Sequence, residues 1–225
     1  IKNQRFQAFL KSGFRLDDHG HNSVGLQLSG TVHDLDAFFG DRYYSASDRE
    51  LYANLIFQLE PGHSEHHKIS AGASFQLEKL TEYFYEDSLI RNHQTPGVFA
   101  EYTFTPVESF TIMAGLRADN NSVFGTFVTP RFHLRWQLTP SIVLRGSAGK
   151  GYRTPAMLTD NLGFLSSSRQ IIIEGEPGLE KAWNYGMNLT KTWEWSDSRK
   201  VDLTIDIYRT TFDQQWVADA DVSAR

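Results

Sequence analysis

Several groups of residues in this chain have the types and spacing that chemistry uses. The run Gly146-Ser-Ala-Gly149-Lys-Gly151 has the glycines and lysine of a phosphate loop. It lacks the G-x-x-x-x-G-K-[ST] spacing, because Gly151 stands where a hydroxyl should follow Lys150, and no helix pattern comes after it. His63, Glu65, His66 and His67 crowd one stretch and could ligate a metal. Asp34, Asp36 and Asp41, and again Glu82, Glu86 and Asp87, are carboxylate groups of the calcium-binding kind without EF-hand spacing. His19, Asn22 and Ser23 are hydrolase residue types, but they share one turn and nothing there builds an oxyanion hole. Solvated turn and loop residues account for each of these groups more simply. Tyr43, Tyr44, Tyr83, Phe84 and Tyr85 could stack on a sugar or a catecholate, and equally on one another. What remains is a series of fixed charges, Arg117, Asp119, Arg131, Arg135, Arg145 and Arg153.

The elements that carry those charges alternate with period two. Phe110, Ile112, Ala114, Leu116 and Ala118 are interleaved with Thr111, Met113, Gly115, Arg117 and Asp119. Phe132, Leu134, Trp136 and Leu138 are interleaved with Arg131, His133, Arg135 and Gln137, and Ile142, Leu144, Gly146 and Ala148 with Val143, Arg145, Ser147 and Gly149. Successive side chains leave a strand on opposite sides, so each segment predicts a strand with one apolar and one charged face. The same pattern recurs from Phe6, Val24, Leu51, Ile69, Val98, Trp183 and Val201, giving about ten strands. Their connections alternate in length. Short turns are expected near 17–21, 60–66, 105–109, 138–141 and 196–199, and longer loops near 34–48, 79–97, 120–125 and 153–181. The stretch 79–97 reads as a projecting hairpin tip and long loop.

The chain has 225 residues, 40% of them hydrophobic and 22% charged, with a formal net charge of -5. That balance points neither to disorder nor to a nucleic-acid partner. No apolar run approaches the roughly 18 residues of a membrane-spanning helix, which leaves a membrane barrel open. With no cysteine there is neither a disulfide scaffold nor a thiolate metal site. The chain starts at Ile1 almost directly in a strand pattern and stops at Arg225 just after another, which reads as a piece of something longer.

Alternation alone does not say which face is inside. A soluble barrel turns its apolar face inward, and an outer-membrane barrel turns it to lipid. Short turns on one rim and long loops on the other favour the membrane form. So do Phe57, Phe104, Phe110, Trp136, Trp193 and Trp195, gathered near the short-turn ends like an interfacial girdle. A strand of about ten residues at roughly 3.3 Å each, tilted about 40°, spans the apolar band of such barrels. If Leu138 faces Ile142 across the turn, Arg135 lies beside Arg145, a pairing that a sealed core would forbid and a wet bore would allow. Lys191 falls on the apolar face, where its stem must snorkel to the rim.

The segments GLRADNN, TPRFHLRW and LRGSAGKGYRTPAM resemble the barrel of TonB-dependent outer-membrane receptors. The matching positions are Gly115, Leu116, Arg117 and Asp119; Thr129, Pro130 and Arg131; and Gly149, Gly151, Tyr152, Arg153 and Pro155. A degenerate continuation follows at Leu179-Glu180-Lys181 and Asn184-Tyr185-Gly186. The resemblance implies an all-β, antiparallel up-and-down transmembrane barrel, with residues 1–225 as about ten strands of a larger, 22-stranded one. The plug domain and remaining strands would lie outside this chain. It implies an outer-membrane receptor that binds a scarce nutrient (siderophore, cobalamin, haem or glycan) and imports it with TonB-supplied energy, without enzymatic chemistry or a cofactor. The implied partners are the TonB complex through the plug, outer-membrane lipid, a small nutrient ligand and a surface lipoprotein. Arg117, Asp119, Arg131, Arg153, Tyr83 and Tyr85 are the candidate substrate- or plug-contacting residues. Gly115, Pro130, Gly149, Gly151, Tyr152 and Pro155 are structural, the two glycines clearing space along the inner wall. The alternatives are a passive porin and a soluble β-barrel binding protein.

Overall fold

Period-two alternation produces ten strands in one antiparallel sheet in the computed structural model, which describes residues 1–18, 21–63, 66–84, 87–166, 178–196 and 199–217. In chain order they are β1 (Lys2–Arg15), β2 (Ser23–Phe39), β3 (Arg42–Leu59), β4 (His67–Phe84), β5 (Asp87–Val107), β6 (Phe110–Asn121), β7 (Gly125–Thr139), β8 (Ile142–Arg153), β9 (Glu180–Ser196) and β10 (Arg199–Gln214). Each pairs with its sequence neighbours, so the sheet is an up-and-down meander. Among the described residues β1 and β10 do not pair with each other, and the sheet has two free edges.

The expected strands are present but extend further than the alternation. Two of the four expected long loops are strand and a third is a tight turn. The stretch 34–48 is the end of β2, a two-residue turn at Gly40-Asp41 and the start of β3, with Phe39 opposite Arg42. The stretch 79–97 continues β4 to Phe84 and starts β5 at Asp87, so it is a projecting hairpin and not a loop. The expected loop 120–125 contracts to a turn between Asn121 and Gly125. Pairing supplies every backbone donor with an acceptor, so hairpin extension is favoured even where side chains on both faces meet water. Two turns need glycine: Gly40 and Gly125 have φ of 67° and 74°, a region closed to most side chains. Asn121 secures the second, its Oδ1 accepting the amides of Val123 (2.9 Å) and Phe124 (3.2 Å). The fourth long connection, after Arg153, is irregular over its described residues, with one short helix at Leu162–Leu165.

The apolar face is uncovered. Trp136, Leu203 and Ile205 remain 45–50% exposed, and Phe6, Phe14, Val98 and Leu116 more so. A soluble barrel would bury these residues. The opposite face is concave at β6–β10, where a hollow of about 450 Å³ is lined by groups such as His133, Arg145, Asn188 and Tyr208. The register Arg135↔Arg145 is present. A bulge between Gln137 and Thr139 places Thr139, not Leu138, opposite Ile142. Lys191 is on the apolar face opposite Leu203. Its ammonium lies 5.8 Å from the Trp193 ring centre and donates to Ser141 Oγ (2.6 Å) in the β7–β8 turn, so it snorkels to the rim as its position requires. Phe110 packs edge-on against Trp136 in the aromatic belt, ring centres 6.1 Å apart.

Candidate functional site

The expected charged residues line the concave face, and their geometry depends on side-chain-free neighbours. Arg117 and Asp119, two apart on β6, pair directly: Nε donates to Oδ2 at 2.7 Å and Nη2 to Oδ1 at 2.6 Å. Arg117 also donates to Ser74 Oγ on β4 (2.6 Å). Asp119 is 6% exposed and occupies the space a side chain at Gly97 would fill. Arg131 on β7 ion-pairs with Glu101 on β5, two strands away. Gly115 lies between them on β6, and a Cβ there would sit 3.0 Å from Glu101 Cγ and 3.1 Å from Arg131 Cγ. The glycine is the gap through which the two charges meet.

The other motif residues fall where the strand pattern places them. Pro130 precedes Arg131, the first β7 residue paired with β8, so it marks the end of that ladder. Gly149 backs onto Arg131, and Gly151 faces open space. Tyr152 packs on Phe127 with ring centres 4.7 Å apart. Its ring also lies 5.4 Å from Lys150 Nζ, and Lys150 pairs with Asp213 at 3.4 Å. Arg153 is held between two carboxylates, Glu180 (2.7 Å) and Asp160 (3.1 Å). Burial opposes the charge on Glu180, but Arg153 and the Trp216 amide outweigh it and lower the carboxyl pKa. The Pro155 carbonyl accepts a hydrogen bond from Arg91 (2.9 Å). Tyr83 lies on the outer face with Phe75 and Leu77, turned away from the concave side and half exposed. Tyr85 lies outside the described residues.

Sequence reasoning missed the best-built feature of this face. The segment after Arg153 crosses the projecting end of the sheet and docks on β2–β4. Leu158 and Leu165 pack with Ala37, Tyr44 and Ala46, flanked by Leu35, Phe39, Phe84 and Leu162. At the centre is Glu82, 3% exposed. Its Oε1 accepts from the Tyr44 hydroxyl (2.9 Å), the Thr159 amide (3.0 Å) and the Thr159 hydroxyl (2.6 Å). Burial, then the Glu82 charge, raises the pKa of the Tyr44 phenol and keeps it a donor. Nothing in the spacing of Tyr44, Glu82 and Thr159 announces this contact.

Beside the clasp, Glu50 and Glu78 are directly opposed on β3 and β4, with Asp48 and Leu80 in the next row and His93 beyond Glu78. Arg91 pairs with Glu78 at 2.6 Å. Burial, then Glu78, pushes the Asp48 carboxyl up, and burial pushes His93 down, leaving it neutral. Among the described residues no His, Asp or Glu group has metal-ligand geometry. His66 donates to the Thr105 carbonyl (2.7 Å), and His67 bonds the Tyr102 hydroxyl (2.6 Å). Asp34 pairs with Arg49, and Asp36 accepts from Tyr43. Asn22 Oδ1 accepts the Glu60 amide as a turn residue. His19, Glu65 and Glu86 lie outside the described residues.

An uncovered apolar face and a polar concave wall tied by cross-strand ion pairs are what a bore-lining sheet requires. Comparison with known proteins agrees. Residues 2–224 match the family described as TonB dependent receptor-like, beta-barrel. The unliganded ferric citrate transporter FecA superposes on 99% of the chain with a TM-score of 0.64 at 13% identity, and the chain spans 36% of it. The siderophore receptor PirA from Pseudomonas aeruginosa gives a TM-score of 0.62 at 15% identity over 90% of the chain, which spans 42% of that structure. Such identities establish the fold alone. The iron-regulated outer membrane virulence protein of Vibrio cholerae is 26% identical over 117 residues, 51% of this chain and 18% of its own length. The chain belongs to the TonB-dependent receptor β-barrel family, outer-membrane transporters and not enzymes.

Proposed function

We propose that this chain is part of the barrel of a receptor that captures a scarce nutrient at the cell surface and imports it with energy delivered through TonB. Two free sheet edges and a span near a third of the solved relatives support a larger barrel, with further strands and a plug domain supplied by other residues. The plug would carry the TonB contact. Within the expected range of siderophore, cobalamin, haem and glycan, an iron chelate fits best, because the named relatives handle ferric citrate and siderophores or are iron-regulated. The observation that carries the reading is the docked segment at Glu82 and Tyr44, which shapes a mouth on the wall above Arg117, Asp119 and Arg131. Arg153, at the base of that segment, fixes its departure through Asp160 and Glu180. A passive porin would share the strands but have no plug domain.

The test is growth rescue. The full-length gene product is expressed in an iron-starved Gram-negative strain lacking its own receptors and supplied with single ferric chelates, haem or cobalamin. Rescue by one compound that disappears on deleting tonB is the expected result. Rescue independent of tonB would support the porin reading.

A further inference from the structure

The hollow near the short-turn rim of the concave wall has a charge imbalance that the described residues do not resolve. Arg135 on β7 and Arg145 on β8 are directly opposed. Like charges facing each other across strands repel, yet neither arginine has a carboxylate partner at ion-pair distance among the described residues. Among the described residues Arg135 donates to the Glu108 carbonyl and Gln137 Oε1, both at 3.4 Å. Arg145 donates to Asn188 Oδ1 at 3.1 Å. Asn188 in turn donates to Asp206 at 2.7 Å, so the nearest acid reaches Arg145 only through a neutral amide. Elsewhere on this wall the pattern is different. Arg91, Arg117, Arg131 and Arg153 each hold a carboxylate directly.

The space in front of the two guanidinium groups is about 450 Å³, bounded by His133, by Asp206 at its β10 side and by the Tyr208 ring, which fills the gap over Gly186. Two forked donors facing one cavity suit a planar, doubly accepting anion, since guanidinium groups bind carboxylates through paired hydrogen bonds. We infer that Arg135 and Arg145 form a carboxylate-binding site on the wall near the short-turn rim, completed by a carboxylate from outside the described residues. That carboxylate comes either from an acidic side chain elsewhere in the full-length polypeptide or from a free organic acid passing through the bore. The inference rests on this face lining a wet bore. Failure of that premise would appear separately, as equal costs for arginine on the two faces of β10.

The experiment uses the full-length protein in detergent with succinate as the probe, ionic strength held constant with chloride. A free-acid site gives a saturable rise in melting temperature, and R135Q or R145Q weakens succinate binding about ten-fold or more, the scale of a charge-assisted hydrogen bond. An internal partner gives no succinate response. In that case R145K treated with a water-soluble carbodiimide forms a zero-length amide crosslink to an Asp or Glu outside the described residues. Either result supports the site. Absence of both effects, or a crosslink only to Asp206 or Glu108, overturns it.

Discussion

Replacing Glu82 by alanine should release the segment that follows β8 while leaving the sheet intact. The carboxylate is 3% exposed and accepts three hydrogen bonds, two of them from Thr159. A hydrogen bond to a charged group is worth about 1.5–3 kcal/mol, but bonds sharing one acceptor are not additive. A loss of about 3–5 kcal/mol of docking free energy is therefore expected for E82A. Since about 1.4 kcal/mol is a factor of ten, local opening should become roughly a hundred- to four-thousand-fold more frequent. The Thr159 amide is itself a donor to Glu82, so hydrogen–deuterium exchange at that position reads the clasp directly. E82Q keeps an acceptor oxygen without the charge and should lie between wild type and E82A. Protection of amides in β3 and β4 below Leu77 should not change. Unaltered exchange at Thr159 in E82A would refute the reasoning, because it would mean that Leu158, Leu165 and the Arg153–Asp160 pair alone hold the segment.

Further expectations follow from the two faces of the sheet. Leu203→Arg, on the apolar face of β10, should cost about 2–4 kcal/mol in lipid vesicles, and Thr204→Arg next to it close to nothing; equal costs in urea unfolding would sink the lipid-facing assignment. Gly97→Leu should displace the Asp119 carboxylate and with it Arg117, lowering stability by about 1–3 kcal/mol, whereas a neutral outcome would show that the pair has room to move. The Asp48 carboxyl is raised by burial and Glu78, so the folded chain holds its proton more tightly than the unfolded chain. Its contribution is thus unfavourable at neutral pH and fades as pH falls through the raised folded value. D48N should raise the melting temperature at pH 7.5 and leave it unchanged at about pH 3.5, below the usual aspartate value; stabilisation at both would point to packing instead of charge.

The membrane-spanning part of the sheet was legible because hydrocarbon on one side and water on the other impose alternation. Leu134, Trp136 and Leu144 fall on one face and Arg135 and Arg145 on the other, as their spacing requires. The projecting hairpins were not legible. At Asp34, Asp36, Ser45 and Ser47 the outer face meets water, while Leu35, Ala37, Tyr44 and Ala46 on the other face lie under the docked segment, so the alternation changes sense although the strands continue. Those polar stretches therefore resemble loops. Arg131 and Gly115 were visible as a motif, but that the glycine opens a path to Glu101 depends on a register three strands wide. The clasp was hidden for a simpler reason: Glu82 and Thr159 are separated by four strands of sequence, and each looks like an ordinary polar residue.

That separation bears on the order of assembly. Every hairpin in the meander closes over neighbouring residues and needs no distant partner. The Tyr44–Glu82–Thr159 junction cannot form until β5 to β8 have been added and have curved far enough to bring the two ends of that span together. Until then a carboxylate and a phenol wait in water at the growing rim. Their burial is thus a late event, and protection of Thr159 against exchange would time-stamp the moment at which the wall has acquired its final curvature.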